Sequence, residues 1–337
     1  MSAVADTLLV AISTDFLTQW SFWIVVGIFA GIYGVLALGL QLNVGYTGVL
    51  NFGQAGFMAI GAYSAVILVV DVGLSYAAAL PLSMLITVGA GLLVGLPALR
   101  LRSDYLAIAT IAFSEVVRIT AKNARELTGG NQGTLDIELE NNRFFVDPWT
   151  DASTWIGDNL LDPIGLSGQD FINMPLLLVI WLTLGALAIG LTLLVRSPWG
   201  RVLRAIREDE DAARALGKNA FSYKMQSLGI SAGIAAIAGW FLVFQAESVN
   251  QQSFEPLVTF LAYAVLVLGG LASFGGVLAG TIIFWFLLEG LREIDLGLDG
   301  NQIASLRFIV AGLVLILLMA FRPQGVFGKK EEMVLGE

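Results

Sequence analysis

Apolar runs of about 20 residues recur along the whole chain, separated by short breaks rich in polar residues, Gly or Pro. They cover residues 20–40, 47–70, 77–99, 105–120, 174–195, 223–244, 256–272, 276–291 and 306–321. Runs of this length suit the roughly 30 Å hydrocarbon layer of a bilayer. A soluble domain with one buried core has no need of such repetition. The pattern therefore predicts an all-α polytopic membrane helix bundle with about nine transmembrane spans, forming a single domain over residues 1–337. The second and fourth runs are the least regular, because Asn51, Gln54 and Glu115 lie in or near them. Around 43–56 the sequence also suits an unwound or re-entrant segment in place of plain helix.

Composition supports the membrane reading. Of the 337 residues 57% are hydrophobic and only 13% charged, against about 25% charged in ordinary soluble domains. The chain has no Cys and no His, which removes disulfides, thiol nucleophiles, the usual zinc sites and imidazole bases. A formal charge of −9 argues against nucleic acid as a partner. Residues 1–18 lack a basic start and contain Asp6 and Asp15, so no cleavable signal peptide is expected and the first span serves as its own insertion signal.

Charge also sets the expected orientation. If the loop at 196–218 faces the cytoplasm, Arg100, Arg102, Arg322, Lys329, Lys330 and the seven basic residues from Arg196 to Lys224 lie inside. Arg118, Lys122, Arg125, Arg143 and Arg292 lie outside, with Arg307 at a helix end. The bias predicts an external N-terminus and an internal C-terminus. The only sizeable outer loop then spans 121–173. Its second half, 136–172, is acidic, which fits either a docking surface for an external partner or a loop kept soluble by its carboxylates.

The inner loop, 197–222, is the most informative segment. Pro198 stands where a helix can begin and Gly217 where one can end. Between them Arg204–Glu208, Arg207–Asp211 and Glu210–Arg214 are opposite charges four apart, each worth about 0.2–0.5 kcal/mol on one helix. Leu203, Ile206, Ala213 and Leu216 add apolar positions. The spacing predicts a short helix in water that a soluble partner can hold.

This segment also carries a family resemblance. Asp211-Ala212-Ala213-x-x-x-Gly217 resembles the EAA-x-x-x-G signature of ABC-importer permeases, with Asp in place of Glu. The run Gly200-Arg201-Val202-Leu203-Arg204-Ala205-Ile206-Arg207-Glu208 is similar to the branched-chain amino acid permease family, in its LivM-type branch. Further similar stretches are Gly48-Val49-Leu50-Asn51-Phe52-Gly53-Gln54, Ser103-Asp104-Tyr105-Leu106-Ala107-Ile108-Ala109-Thr110, Thr128-Gly129-Gly130-Asn131-Gln132-Gly133 and Val267-Leu268-Gly269-Gly270-Leu271-Ala272-Ser273-Phe274-Gly275-Gly276. The resemblance covers about 30–328, and the 136–172 loop is outside it.

What the resemblance implies is a permease subunit of an importer in a prokaryotic cytoplasmic membrane. Its partners would be a second homologous permease, two cytoplasmic ATPases and an extracytoplasmic substrate-binding protein. Arg204, Arg207, Glu210, Asp211, Ala212, Ala213 and Gly217 would form the ATPase-coupling element. The chain has no G-x-x-x-x-G-K-[ST] phosphate loop, so ATP and Mg would be bound by the ATPase subunits and no cofactor by this chain. The implied substrates are branched-chain or other neutral amino acids, with urea or short-chain amides as the alternative within the family.

Candidate residues for the substrate path are Asn51 and Gln54, one turn apart among Gly45, Gly48, Gly53 and Gly56, together with Glu115. Broken helices offer backbone groups to a zwitterionic substrate, and glycines equally allow close helix packing. Glu115 and Arg118, three apart, fit either a structural ion pair or part of the path. A different class, an ion-coupled secondary transporter using Glu115, Asp104 and Glu247, would leave the 199–217 helix without a purpose. No paired carboxylates on one span suggest an enzyme.

Overall fold

In the computed structural model residues 14–130, 133, 155, 170–293, 299–321 and 325 are described. The acidic loop 136–172, apart from 155 and 170–172, lies outside them, as do Asn131, Gln132, Arg143, Arg322, Lys329 and Lys330. All secondary structure among the described residues is helical. The principal helices are α1 (Trp20–Gln41), α2 (Gln54–Val70), α3 (Tyr76–Ala98), α4 (Ser103–Asn123), α5 (Asp170–Arg196), α6 (Pro198–Glu208), α7 (Glu210–Ala215), α8 (Ala220–Ala246), α9 (Pro256–Gly269), α10 (Phe274–Glu293) and α11 (Gly300–Phe321).

Each apolar run of the sequence overlaps one of these helices, although the run 47–70 is helical by α-type bonding only from Gln54. By length and composition five helical stretches among the described residues suffice to cross a membrane: Trp20–Thr47, Tyr76–Ala98, Asn173–Arg196, Ala220–Ala246 and Phe274–Glu293. Gln54–Val70, Pro256–Gly269 and Ser305–Val314 are apolar but shorter. The expected second span is shortened because 42–53 is not α-helix. Helix α4 carries Asp104, Glu115, Arg118 and Lys122 among its 21 residues, too many charges for a simple span.

Helices α1 and α8 form the centre. Helix α8 packs on α1, α2 and α3, while α1 also packs on α5, α9 and α10. From Ala30 to Gln41 every residue of α1 is buried, which explains why that stretch is apolar all round. Helices α3 and α5 bury one side only and leave Leu85, Leu93, Leu182 and Ile189 exposed. In hydrocarbon such leucines cost nothing, and helix association must come from fit and hydrogen bonding.

That fit uses small residues. A Cβ on Gly61 of α2 would stand 2.3 Å from Ala236 Cα of α8, and one on Gly239 of α8 would stand 2.3 Å from the Met58 carbonyl oxygen. The glycine-dense turn after α9 serves the same end. A Cβ on Gly269 would meet the Gly276 carbonyl at 2.2 Å, so α9 and α10 cross backbone to backbone.

Candidate functional site

The centre of interest is the interruption between α1 and α2. At its end α1 widens into one π-helical turn, Leu42–Thr47, and the chain then turns at Gly48 with a left-handed φ of 75°. Val49, whose N–H would reach Gly45 in a continuing α-helix, donates instead to the Asn43 carbonyl (2.9 Å). Residues 48–53 follow without regular structure until α2 starts at Gln54. Turns of this kind cluster at functional positions.

Non-helical backbone inside a bundle must find hydrogen bonds from neighbours. It does so here from three helices. Phe52 N–H donates to Thr110 of α4 (3.0 Å), and Ala55 N–H to Thr259 of α9 (2.9 Å). Tyr263 of α9 donates to the Asn51 carbonyl (3.2 Å). Ser227 of α8 donates to Asn43 Oδ1 (2.9 Å) and stands 2.8 Å from the Thr47 hydroxyl.

Asn51 and Gln54 belong to this network. Asn51 Nδ2 donates to Gln54 Oε1 (2.9 Å), Asn51 Oδ1 accepts from Gly53 N–H (2.9 Å), and Ser231 of α8 donates to Gln54 Oε1 (3.1 Å). Both side chains are fully buried. The structure thus brings these two together, with their polar atoms turned onto the interrupted backbone and its neighbours. Glu115 is apart from them. Its carboxylate takes two bonds from Arg118, at 2.9 and 2.5 Å, and Arg118 also donates to Gln251 (2.7 Å). Glu115 remains about one-third exposed, and the pair ties α4 to the 3-10 turn Gln251–Phe254.

The loop between α5 and α8 sits at the end of the bundle where α1 breaks. The sequence predicts one helix from Pro198 to Gly217, and the structure divides it. Asp209 is extended (φ −152°, ψ 106°), and its carboxylate caps α7 by accepting from Asp211 and Ala212 N–H, both at 2.9 Å. Pro198 opens α6, and Gly217, with φ of 77°, follows α7. The break separates Arg207 from Asp211, and neither that pair nor Arg204–Glu208, whose residues both lie in α6, forms among the described residues. Glu210–Arg214 does form, at 2.6 Å, and Glu210 also pairs with Lys224 of α8.

Two arginines of α6 point to backbone carbonyls instead. Arg204 donates to Val195 (3.1 Å), and Arg207 donates to Gly45 within the π-turn. A Cβ on Gly48 would lie 3.3–3.5 Å from Arg207 atoms, so α6 rests directly on the interruption. Ile206 of α6 and Ala213 of α7 are buried together with Ala220. The opposite side of α7 is free: Ala212, Leu216 and Gly217 are exposed, and the Asp211 side chain is 94% exposed. One loop therefore grips the broken helix and presents a bare face outward.

Sequence reading missed three features. Asp209 as a cap was legible, since Asp before Glu210-Asp211-Ala212-Ala213 is a helix-start signal. Gln41 was not: its amide, turned so that both atoms are satisfied, accepts from Ala272 and Ser273 N–H at 2.7 Å, joining α1 to the α9–α10 turn. Nor was Glu289, buried in α10 beside Arg292 (3.7 Å) and paired with Arg307. Arg307 stands two turns inside α11, which begins at Gly300, and not at a helix end.

Long apolar helices, an interrupted helix at the core and a charged loop seated on it define a polytopic membrane protein of the permease type. Residues 19–319 match the family model described as branched-chain amino acid transport system / permease component. The chain is 36% identical over 302 residues to the "High-affinity branched-chain amino acid transport system permease protein LivM" of Salmonella typhimurium, covering 88% of this chain and 67% of that protein. It is 35% identical over 296 residues to the Escherichia coli K12 protein of the same name, with the same coverage. Over 309 residues it is 26% identical to the Escherichia coli K12 LivH permease, covering 89% of this chain and 92% of that one. No solved structure is significantly similar. The chain belongs to the branched-chain amino acid transport permease family.

Proposed function

We propose that the chain is the permease subunit of an ABC importer for branched-chain amino acids, working by alternating access powered on other chains. The observation that carries this reading is the α6–α7 loop, which joins the interrupted α1 through Arg207 while leaving α7 bare. The family match over 19–319 supplies the substrate class.

In this reading the chain crosses a prokaryotic inner membrane about nine times, with the α6–α7 end in the cytoplasm and the Glu115–Arg118 end outside. The ATPase subunits bind ATP and Mg and hold α7 by Glu210, Asp211, Ala212, Ala213 and Gly217. Their closure displaces α6, and Arg204 and Arg207 pass the movement to α5 and to the π-turn. The second permease chain completes the path, and an external binding protein delivers the amino acid. Asn51 and Gln54 hold the interruption in shape, so they act on the path through the backbone.

The test is mild affinity purification from native membranes, followed by reconstitution in lipid vesicles. Co-recovery of a second permease and a phosphate-loop ATPase, with ATP-dependent leucine uptake, is expected. Recovery of this chain alone, transporting without ATP, would refute the reading.

A further inference from the structure

The end of the bundle opposite α6 and α7 contains a cavity of about 250 Å³. Its volume equals that of about eight waters, the scale of a small amino acid and too little for a peptide. The wall is mixed. Leu242 of α8, Val258 and Leu261 of α9 and Phe308 of α11 supply apolar surface, while Tyr33, Ser253 and Glu255 supply polar groups.

Two of those polar groups are unusual. Tyr33 lies deep in α1 and is largely buried, with the cavity reaching it, and its hydroxyl is not committed to a hydrogen bond with any described residue. Tyr33 lines the cavity, so its hydroxyl can donate to a ligand that enters. Glu255 immediately precedes α9 but does not cap it, and it forms no ion pair among the described residues. Arg118 lies within electrostatic reach of it, but its guanidinium is already committed to Glu115 and Gln251. One open carboxylate, free hydroxyls and a branched aliphatic wall together match a neutral aliphatic amino acid in its zwitterionic form. A divalent metal would call for more oxygen ligands than this.

We propose that this cavity is the outward-facing substrate pocket, an inference that rests on the transport reading above. Glu255 pairs with the α-ammonium group of the substrate, and the Ser253 and Tyr33 hydroxyls donate to its carboxylate. Leu242, Val258, Leu261 and Phe308 enclose the aliphatic side chain. The pocket differs from the Asn51–Gln54 network, whose polar atoms are already bonded within the chain.

The experiment uses the complete transporter, purified without its binding protein, and scintillation-proximity binding of radiolabelled leucine. Glu255→Gln is expected to weaken leucine binding at least tenfold. Leu261→Ala, which enlarges the pocket, should shift competition toward phenylalanine relative to leucine by a similar factor. If Glu255→Gln does not co-purify with its partners, Glu255→Asp and Leu261→Ala decide the matter by the same competition ratio. Unchanged affinity and ratio in variants that assemble would overturn the pocket. So would a wild-type complex that imports leucine from loaded binding protein yet binds none in this assay. A wild-type complex that imports no branched-chain amino acid would overturn the transport reading, and the pocket with it.

Discussion

The contact between α2 and α8 gives the sharpest quantitative prediction. Replacing Gly239 by Ala places a methyl group 2.3 Å from the Met58 carbonyl oxygen and 3.0 Å from Ala62 N. Carbon–oxygen contacts between backbones settle at about 3.3–3.6 Å, so α2 and α8 must part by about 1 Å. Overpacking of this sort costs about 1–3 kcal/mol. A second loss follows. The Gln54 amide donates to the Ser231 carbonyl at 3.3 Å, already long, and parting the helices breaks it. That bond is worth about 0.5–1.5 kcal/mol. Against this, Ala gains up to about 1 kcal/mol over Gly in helix propensity. The net expectation is a loss of about 0.5–4.5 kcal/mol, centred on roughly 2–3 kcal/mol. Gly190→Ala on α5, where a Cβ meets nothing within 4 Å, is the control and should be neutral or slightly stabilising. The assay is reversible unfolding in mixed micelles of lipid detergent and SDS. If Gly239→Ala and Gly190→Ala unfold alike, close packing of α2 on α8 does not hold the interruption in place.

Other expectations follow from the same contacts. Arg207→Met keeps much of the side-chain stem but removes the bond to Gly45, a charged hydrogen bond worth about 1.5–3 kcal/mol; the ratio of leucine transported to ATP hydrolysed in vesicles should fall about tenfold or more, and an unchanged ratio would break the proposed link. Gly217→Asp forces an L-residue into a left-handed φ of 77° at a cost of about 1–2 kcal/mol, on a surface with nothing nearby to clash. Membrane insertion should survive, measured by fractionation, while uptake is lost; normal uptake would remove Gly217 from the coupling element. Glu289→Gln leaves Arg307 without its buried carboxylate and should destabilise by about 3–5 kcal/mol. The double change Glu289→Gln with Arg307→Met should recover most of that loss in the same unfolding assay.

The helices were legible because each is an uninterrupted apolar run, and the interruption was half legible. Asn51, Gln54 and four glycines mark 45–56 as irregular, but nothing local says that the π-turn begins at Leu42. That depends on Ser227, more than 180 residues away, taking the Asn43 side chain. The loop between α5 and α8 shows the same division. Pro198 and Gly217 mark its limits, whereas the four-apart charges suggest one helix where Asp209 makes two. Surface ion pairs worth tenths of a kcal/mol lose to a cap worth about 1 kcal/mol. Asn51 and Gln54 stand out in the sequence as polar residues suited either to a substrate path or to helix packing, and in the structure they bond to each other, to Gly53 N–H and to Ser231. Polarity in an apolar run signals a buried partner, and the sequence does not say whether that partner is substrate or main chain. The Tyr33–Glu255 cavity was illegible for a related reason, since its walls come from four separated helices.

The bond from Arg207 ends on a main-chain oxygen, at a residue without a side chain. On the α1 side the joint is therefore written in the path of the chain and not in the identity of any residue. No substitution at position 45 deletes the acceptor; it can only displace it, because a Cβ there would press on the Gln41 amide at 2.8 Å. If the proposed coupling holds, genetic screens for uncoupled variants should recover changes at Arg207 and at residues that shape the turn, such as Gly48 and Asn43, while the accepting oxygen itself stays beyond the reach of mutation.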